Sequence, residues 1–261
     1  MKFEDFKHLY NCLNQPSDIE VLSEKLGLDE ELLRVIYTQR TVRETTKAFY
    51  RVEKYSAHML SDWNRGMSIM NISKKAEFSP ILTGLMLFKE MGKSKKQFWA
   101  YVREPDTIPS ARLKKDIIEI AEADHIYSPW ANEVQVKRGQ WGEGQLQGWL
   151  KENEITFRTE KDIRGEFTKT PDCLFHQPVQ VNGWKVNWIE SKATFGDRIE
   201  VNRNVKKQLE PYLEMFGQGV VVYWFGYVDD IKVPEGIHII DGSLTGHKCE
   251  YVTGAKACHY E

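Results

Sequence analysis

The sequence predicts a helical N-terminal half with helix-turn-helix-like units, followed by an α/β half. Three observations support this prediction. Apolar residues recur at helical spacing between residues 17 and 123, an Asn-Gly pair at 182–183 joins two β-rich runs, and residues 220–225 are almost all apolar. After Ser128-Pro129-Trp130, the spacing of apolar residues is no longer helical throughout, and β-rich runs appear. We therefore predict one domain over residues 1–128 and a second over residues 129–261.

The composition excludes two classes of protein. A chain of 261 residues with 41% apolar and 12% aromatic residues can bury a large core, so it is not disordered. The longest uncharged apolar run, residues 216–228, has 13 residues, and a membrane helix needs about 20. The four cysteines form no Cys-x-x-Cys pair, and the first residues lack a secretory signal. These features predict no membrane association and a reducing, cytoplasmic location.

The helical half contains two helix-turn-helix candidates. In the first, a helix from Ser17 stops at Gly27, and Asp29 caps its partner. In the second, residues 67–76 precede a helix that Ser79 caps and that runs to Gly92. The alternative is a pair of packing helices without a DNA-binding role, because this pattern is degenerate.

Basic residues are concentrated in the same half. Residues 34–103 carry 14 Lys and Arg but five Asp and Glu, although the net charge of the chain is −2. Such a stretch attracts phosphate backbones, which predicts DNA as a partner; the alternative is an ordinary solvated helical surface. The side chains that we expect to face phosphates on the second unit are Thr83, Lys89, Lys93, Lys95 and Lys96.

The second half alternates helices and strands. Leu174–Val181 and Trp184–Lys192 form the predicted hairpin. The remaining elements are predicted as helices over 142–153 and 198–216 and strands over 220–225, 237–240 and 249–252.

The candidate catalytic residues lie on the hairpin. Asp172 begins one strand, and Glu190 and Lys192 lie near the end of the other. Counting outward from the turn without a bulge, Asp172 falls opposite position 193, and Glu190 and Lys192 share one sheet face. Two carboxylates suit Mg²⁺, with Mn²⁺ as a substitute, and Lys192 could stabilise charge on a phosphate. The alternative is a surface Glu–Lys pair at a strand end.

Three further residues are candidates for the same site. Glu143, on the helix before the sheet, could supply a third carboxylate; without the others it would be an ordinary solvated Glu. Gln208 and Tyr212 lie four residues apart on one face of the later helix, where they could position the metal ligands or bind the DNA backbone. For Tyr212 alone, packing against the sheet is an equally good interpretation.

Four motifs together resemble the TPD-motif family, including its archaeal members. They are Gly-x-x-x-Glu at 139–143, Thr-Pro-Asp at 170–172, the run 188–197 around Glu-Ser-Lys, and Gly-Val-Val-Val-Tyr-Trp-x-Gly at 219–226. That family belongs to the PD-(D/E)XK nuclease superfamily. The resemblance implies a restriction-endonuclease-like α/β domain with a mixed central sheet. It also implies that Asp172, Glu190 and Glu143 bind metal and that Lys192 is catalytic.

The resulting expectation is a metal-dependent deoxyribonuclease. By analogy with related resolvases and repair nucleases, we expect branched, flapped or single-stranded DNA as substrate, in repair or recombination, and a possible homodimer. The alternative is a catalytically silent protein on a nuclease fold that binds nucleic acid or recruits a partner.

Overall fold

A computed structural model describes residues 1–258 of the chain, as a helical N-terminal part followed by a mixed sheet with helices. The helices that precede the sheet are α1 (Phe3–Cys12), α2 (Ser17–Leu26), α3 (Glu30–Glu53), α4 (Ser56–Asn64), α5 (Ile69–Ala76), α6 (Pro80–Glu90), α7 (Lys95–Arg103), α8 (Ala111–Ala123) and α9 (Pro129–Glu152). Within the described residues, no helix has both the length and the apolarity that a membrane crossing requires.

The sheet part contains six strands and three helices. In chain order these are β1 (Phe157–Thr159), α10 (Glu160–Ile163), β2 (Cys173–Val181), β3 (Trp184–Lys192), α11 (Arg198–Asn204), α12 (Glu210–Phe216), β4 (Gly219–Tyr223), β5 (Ile237–Asp241) and β6 (Cys249–Tyr251). Residues 205–209, between α11 and α12, form a π-helical turn.

The compact units of the fold differ from the predicted division after residue 128. One compact unit is residues 38–136, and the other combines residues 1–37 with residues 137–261. The reason is that the first helix-turn-helix candidate packs on the sheet unit: Ile19, Leu22 and Leu33 share a buried cluster with Phe195 and Val228. Helices α3 and α9 are continuous across the boundaries between the units.

The unit of residues 38–136 is a helical bundle around α6. Of the helix that was expected to face DNA, Ile81, Thr83, Met86 and Phe88 are buried, and Thr83 donates its hydroxyl hydrogen bond to the Ser79 carbonyl oxygen. Thr83 is fully buried, so its prediction as a phosphate contact is wrong. This face of α6 therefore packs inside the helical unit, as the alternative of two packing helices predicted.

The helix that was predicted to run to Gly92 ends close to that glycine, and the lysines after it lie outside α6. Helix α6 ends at Glu90, and Gly92 follows with a positive φ of 70°. Lys95 and Lys96 begin α7, which Ser94 caps. A residue in the left-handed region ends a helix, so Lys93, Lys95 and Lys96 do not lie on α6. Lys89 is on α6, but its ammonium pairs with Glu53 at 2.9 Å.

The sheet has the strand order β1-β2-β3-β4-β5, and β6 pairs with β2 beside β1. The β2–β3 hairpin is antiparallel, whereas β3–β4 and β4–β5 are parallel. The parallel β3–β4 pair requires a crossover, and α11, the π-helical turn and α12 supply it. The mixed sheet that was predicted is therefore present.

The helices cover both faces of this sheet. Leu146, Trp149 and Leu150 of α9 pack with hairpin residues such as Ile189. Helices α11 and α12 pack on the opposite face, with Leu174 and Trp188 of the hairpin. We had predicted the start of α9 at Gly142, but the helix begins at Pro129, so Glu143 lies in its interior.

Gly219 allows Trp188 to lie flat against β4. A Cβ atom at Gly219 would stand 2.0 Å from Trp188 Cε2, and the indole is fully buried, with its N–H donating to the Gly217 carbonyl oxygen at 2.8 Å. The indole has no room to move, so position 219 does not tolerate a side chain.

We predict that Gly219→Ala lowers the free energy of unfolding by ~3 kcal/mol, because the added methyl group overpacks a rigid core. The matched control is Gly148→Ala in α9, where a Cβ meets nothing within 4 Å. That change should stabilise the protein by up to ~1 kcal/mol through helix propensity. Urea unfolding followed by circular dichroism measures both, and equal stabilities for the two variants would contradict the packing argument.

Candidate active site

A shift in strand register brings the two hairpin carboxylates together. Near the turn, Val179 pairs with Val186, but further out Leu174 pairs with Trp188, so β2 contains three extra residues. Pro178, which has no N–H to donate, lies in this irregular stretch. The shift places Asp172 opposite Glu190 and corrects the bulge-free count, which had placed it opposite position 193.

Two backbone hydrogen bonds hold this arrangement. The Ser191 N–H donates to Asp172 Oδ2 at 2.7 Å, and the Asp172 N–H donates to Glu190 Oε2 at 3.2 Å. Each carboxylate is therefore fixed by the strand that carries the other.

Lys192 is held between two side chains. Its Nζ donates to Glu190 Oε1 at 2.6 Å and to Gln208 Oε1 at 2.8 Å. Gln208 lies in the π-helical turn, a geometry that is frequent at functional sites. The structure thus brings together four predicted residues, Asp172, Glu190, Lys192 and Gln208.

Burial raises the pKa values of both carboxyl groups. Loss of solvation, followed by the nearby charge of Glu190, raises the pKa of Asp172 to about 8. Burial also raises the pKa of Glu190, against the opposing effect of Lys192. In the isolated protein Asp172 therefore keeps its proton below about pH 8, because ionising both groups would leave a negative charge that a single ammonium does not balance.

These residues fit a divalent cation. Two buried carboxylates with one lysine leave a net negative charge, and carboxylate oxygens are the donors that Mg²⁺ and Mn²⁺ prefer. Asp172 and Glu190 would hold the ion. Within residues 1–258, no three His, Cys, Asp or Glu side chains are gathered into a ready metal cluster, so this fit concerns the carboxylate pair.

Glu143 is the third carboxylate that was predicted for this site. It is exposed on α9, directly after Gly142, which lies close to Trp224 and Ser191. Its charge makes the smallest of the contributions that act on the pKa of Asp172. Within the described residues we find no hydrogen bond or ion pair of Glu143, so its role as a third ligand remains a prediction.

Tyr212 does not face a substrate. Its side chain is only 2% exposed and packs on Trp188, with the ring centroids 5.3 Å apart. Its hydroxyl donates to the Thr170 carbonyl oxygen at 2.7 Å. This burial agrees with the alternative of packing on the sheet and disagrees with a direct substrate contact, whereas a role in positioning the metal ligands stays a prediction. The hydroxyl also positions the segment that leads into Asp172.

The sequence analysis missed the role of Ser191 and Trp224. The Trp224 indole N–H donates to Ser191 Oγ at 2.8 Å, and the Trp224 backbone N–H donates to the Lys192 carbonyl oxygen at 3.0 Å. A Cβ at Gly142 would lie 2.7 Å from the Trp224 ring, so this glycine permits the close approach of α9. The glycines on both sides of Glu143 were the signal in the sequence that could have indicated this close approach.

The raised pKa of Asp172 predicts a pH-dependent stability. With a native pKa of about 8 and an ordinary value of 3.8, the native state binds more protons than the unfolded state between these limits. The protein therefore becomes less stable as the pH rises through this interval. In EDTA, the free energy of unfolding of the wild type should decrease between about pH 5 and pH 8. We predict that Asp172→Asn makes this decrease smaller by ~1–3 kcal/mol.

Urea unfolding at the two pH values measures this difference, with Asp5→Asn on the exposed side of α1 as the control. The control should follow the wild type. A pH dependence of Asp172→Asn that is the same as that of the wild type would show that Asp172 is not the group responsible.

Comparison with known proteins gives several relatives that share one name. A zebrafish (Danio rerio) protein named CDAN1-interacting nuclease 1 is 36% identical over 147 residues, which are 55% of this chain and 49% of that protein. The frog (Xenopus tropicalis) protein of that name is 26% identical over 249 residues, 90% of this chain and 79% of its own length. The human one is 28% identical over 171 residues, with 62% and 61% covered. The chain thus spans about half the length of the zebrafish relative.

No solved structure matches the chain at a significant level. A family profile does match, the one described as "Protein of unknown function TPD sequence-motif", over residues 109–243. The matched range is slightly more than half of the chain and contains Glu143, Asp172, Glu190, Lys192 and Gln208. It begins within the helical unit and ends after β5. The predicted resemblance is confirmed, and the chain belongs to the TPD-motif family.

Proposed function

We propose that this protein is a divalent-metal-dependent nuclease that hydrolyses DNA phosphodiester bonds. The observation that carries the proposal is the ammonium of Lys192, held by Glu190 and Gln208 beside Asp172 at the end of β3. Relatives named as nucleases support the reaction class. The carboxylate pair is the reason for proposing a metal, and the basic residues of the helical unit are the reason for proposing DNA.

Each residue of the site has a role in this proposal. Asp172 and Glu190 would hold Mg²⁺ or Mn²⁺, which when bound would supply positive charge for the phosphate and acidify a water. Lys192 donates hydrogen bonds to the phosphate oxygens as their charge increases. Gln208 keeps the ammonium in place, and Glu143 would supply a third carboxylate to the ion, directly or through water.

The PD-(D/E)XK fold is part of the same proposal. In its support, the antiparallel β2–β3 hairpin continues through a helical crossover into the parallel strand β4, with α9 on one face and α11–α12 on the other. Asp172 and the Glu190-x-Lys192 sequence occupy the ends of the paired strands.

DNA binding by the helical unit is also proposed. Lys95 and Lys96 are exposed at the start of α7, and Lys93 is partly exposed just before them. Among the described residues we find no acidic partner for these three ammonium groups, so they are available to phosphates. We further propose branched, flapped or single-stranded DNA as substrate, a role in repair or recombination, a homodimer, and a cytoplasmic location.

We predict that Lys192→Ala abolishes metal-dependent cleavage, with a decrease of at least about 100-fold, because the charge on the phosphate is no longer stabilised. The matched control is Lys185→Ala on the same strand, at the exposed end beside the turn. It should cleave like the wild type. The measurement is cleavage of end-labelled single-stranded, duplex, flapped and four-way DNA with Mg²⁺, Mn²⁺ or EDTA.

No cleavage of any substrate by the wild type, with nucleic-acid binding retained, would overturn the catalytic proposal and favour the catalytically silent alternative. Cleavage that persists in Lys192→Ala would point to a different site or a contaminant.

We also predict that reversing the charge of Lys93, Lys95 and Lys96 to Glu weakens DNA binding and reduces its salt dependence. The slope of the logarithm of the binding constant against the logarithm of the salt concentration should decrease in magnitude by about one for each phosphate that the variant no longer neutralises. The control is the reversal of Lys248, which already pairs with Glu250 at 2.7 Å. Fluorescence anisotropy over a salt series measures both slopes. An unchanged slope in the triple variant would exclude this surface.

A further inference from the structure

An exposed tryptophan lies at the same end of the sheet as the candidate active site. Trp141 of α9 has 47% of its surface exposed. Its ring centroid lies 5.7 Å from that of Trp224 and 5.9 Å from that of Phe225. Trp224 and Phe225 are themselves partly exposed, so the three rings, here called the aromatic cluster, form a surface rather than a core.

The aromatic cluster is tied to the catalytic strand by hydrogen bonds. Trp224 donates through its indole N–H to Ser191 Oγ and through its backbone N–H to the Lys192 carbonyl oxygen. The Ser191 N–H in turn donates to Asp172. Because β3 and β4 are neighbours and parallel, the cluster lies one strand away from the candidate catalytic residues.

The contacts with Trp224 and Phe225 cover only part of Trp141, which is not among the residues that anchor α9 to the sheet. The helix is anchored to the sheet by Leu146, Trp149 and Leu150, which are buried. At about 100° per residue, Trp141 lies on the outward side of the helix, together with exposed Lys137 one turn earlier. An exposed indole beside an ammonium offers a flat apolar face and a positive charge on one surface.

We propose that the aromatic cluster is a stacking platform for an unpaired nucleobase of the polynucleotide whose phosphate occupies the candidate active site. This inference rests on the proposed function and specifies its substrate. An aromatic ring stacks on any base because every base has a π-face. Bases inside a duplex already stack on each other, so the platform selects an unpaired strand without selecting a sequence. Lys137 contacts the phosphate backbone of that strand.

The first test is binding in EDTA, which prevents cleavage. Trp141→Ala should bind fluorescein-labelled oligothymidylate and oligouridylate roughly 5- to 150-fold more weakly than the wild type, the range that removal of one stacked base gives. Trp141→Phe should retain most of the affinity, and binding to a blunt duplex should not change. Comparison of the two oligomers shows whether the strand is DNA or RNA.

The control is Trp130→Ala, which removes an indole of similar exposure, 42%, from the same helix. It should bind like the wild type. Thermal unfolding of each variant shows that its fold is kept.

The second test uses the substrate. Abasic nucleotides are placed one at a time along a single strand, and cleavage with Mg²⁺ is followed. One abasic position should slow the wild type and leave Trp141→Ala unaffected, because that variant no longer has the ring on which the missing base would stack.

The outcomes separate this inference from the proposed function. Cleavage that depends on Lys192 but not on Trp141, together with unchanged oligonucleotide binding, would overturn the platform and leave the nuclease intact. Weaker oligonucleotide binding by Trp141→Ala without any cleavage would support the platform and overturn the nuclease. If Trp141→Ala changes only the sedimentation coefficient of the protein, the cluster is a contact between copies of the chain, and the platform is overturned.

Discussion

The hydrogen bond from the Ser191 N–H to Asp172 Oδ2 is the interaction on which the candidate site depends. It exists because the β2–β3 ladder changes register between Leu174 and Val179. With the register of the turn continued unbroken, Asp172 would lie opposite position 193, beyond Lys192. The three extra residues on β2 return it to Glu190, and a β-bulge near an active site commonly re-aims a side chain in this way.

The cost of this arrangement is a buried negative charge, and the surrounding residues limit it. Burial raises the pKa values of Asp172 and Glu190, while Lys192 lowers that of Glu190 by charge and by hydrogen bonding. Gln208 holds the ammonium from the π-helical turn. Two ionised carboxylates and one ammonium are balanced only by a further cation, so a bound cation would favour loss of the proton that the isolated site keeps.

Close packing around small residues sets the distances between the layers. Gly219 lets Trp188 lie against β4, and Gly142 lets α9 approach Trp224. Trp224 then connects β4 to Ser191 and Lys192. Hydrogen bonds of Trp224 therefore connect the aromatic cluster to the strand that carries Glu190 and Lys192. Trp141 joins the cluster through its ring contacts, which is why we propose it as part of the substrate surface.

The sequence by itself determined the hairpin, the crossover helix and the identity of Asp172, Glu190 and Lys192, because a turn at Asn182-Gly183 and alternating or continuous apolar runs are local signals. Tertiary structure decided the rest. The register shift, the burial of Thr83 and Tyr212, and the packing of the first helices on Phe195 and Val228 all depend on residues distant in the chain. Periodicity shows that a helix has an apolar face, but only the packed fold shows which surface covers it.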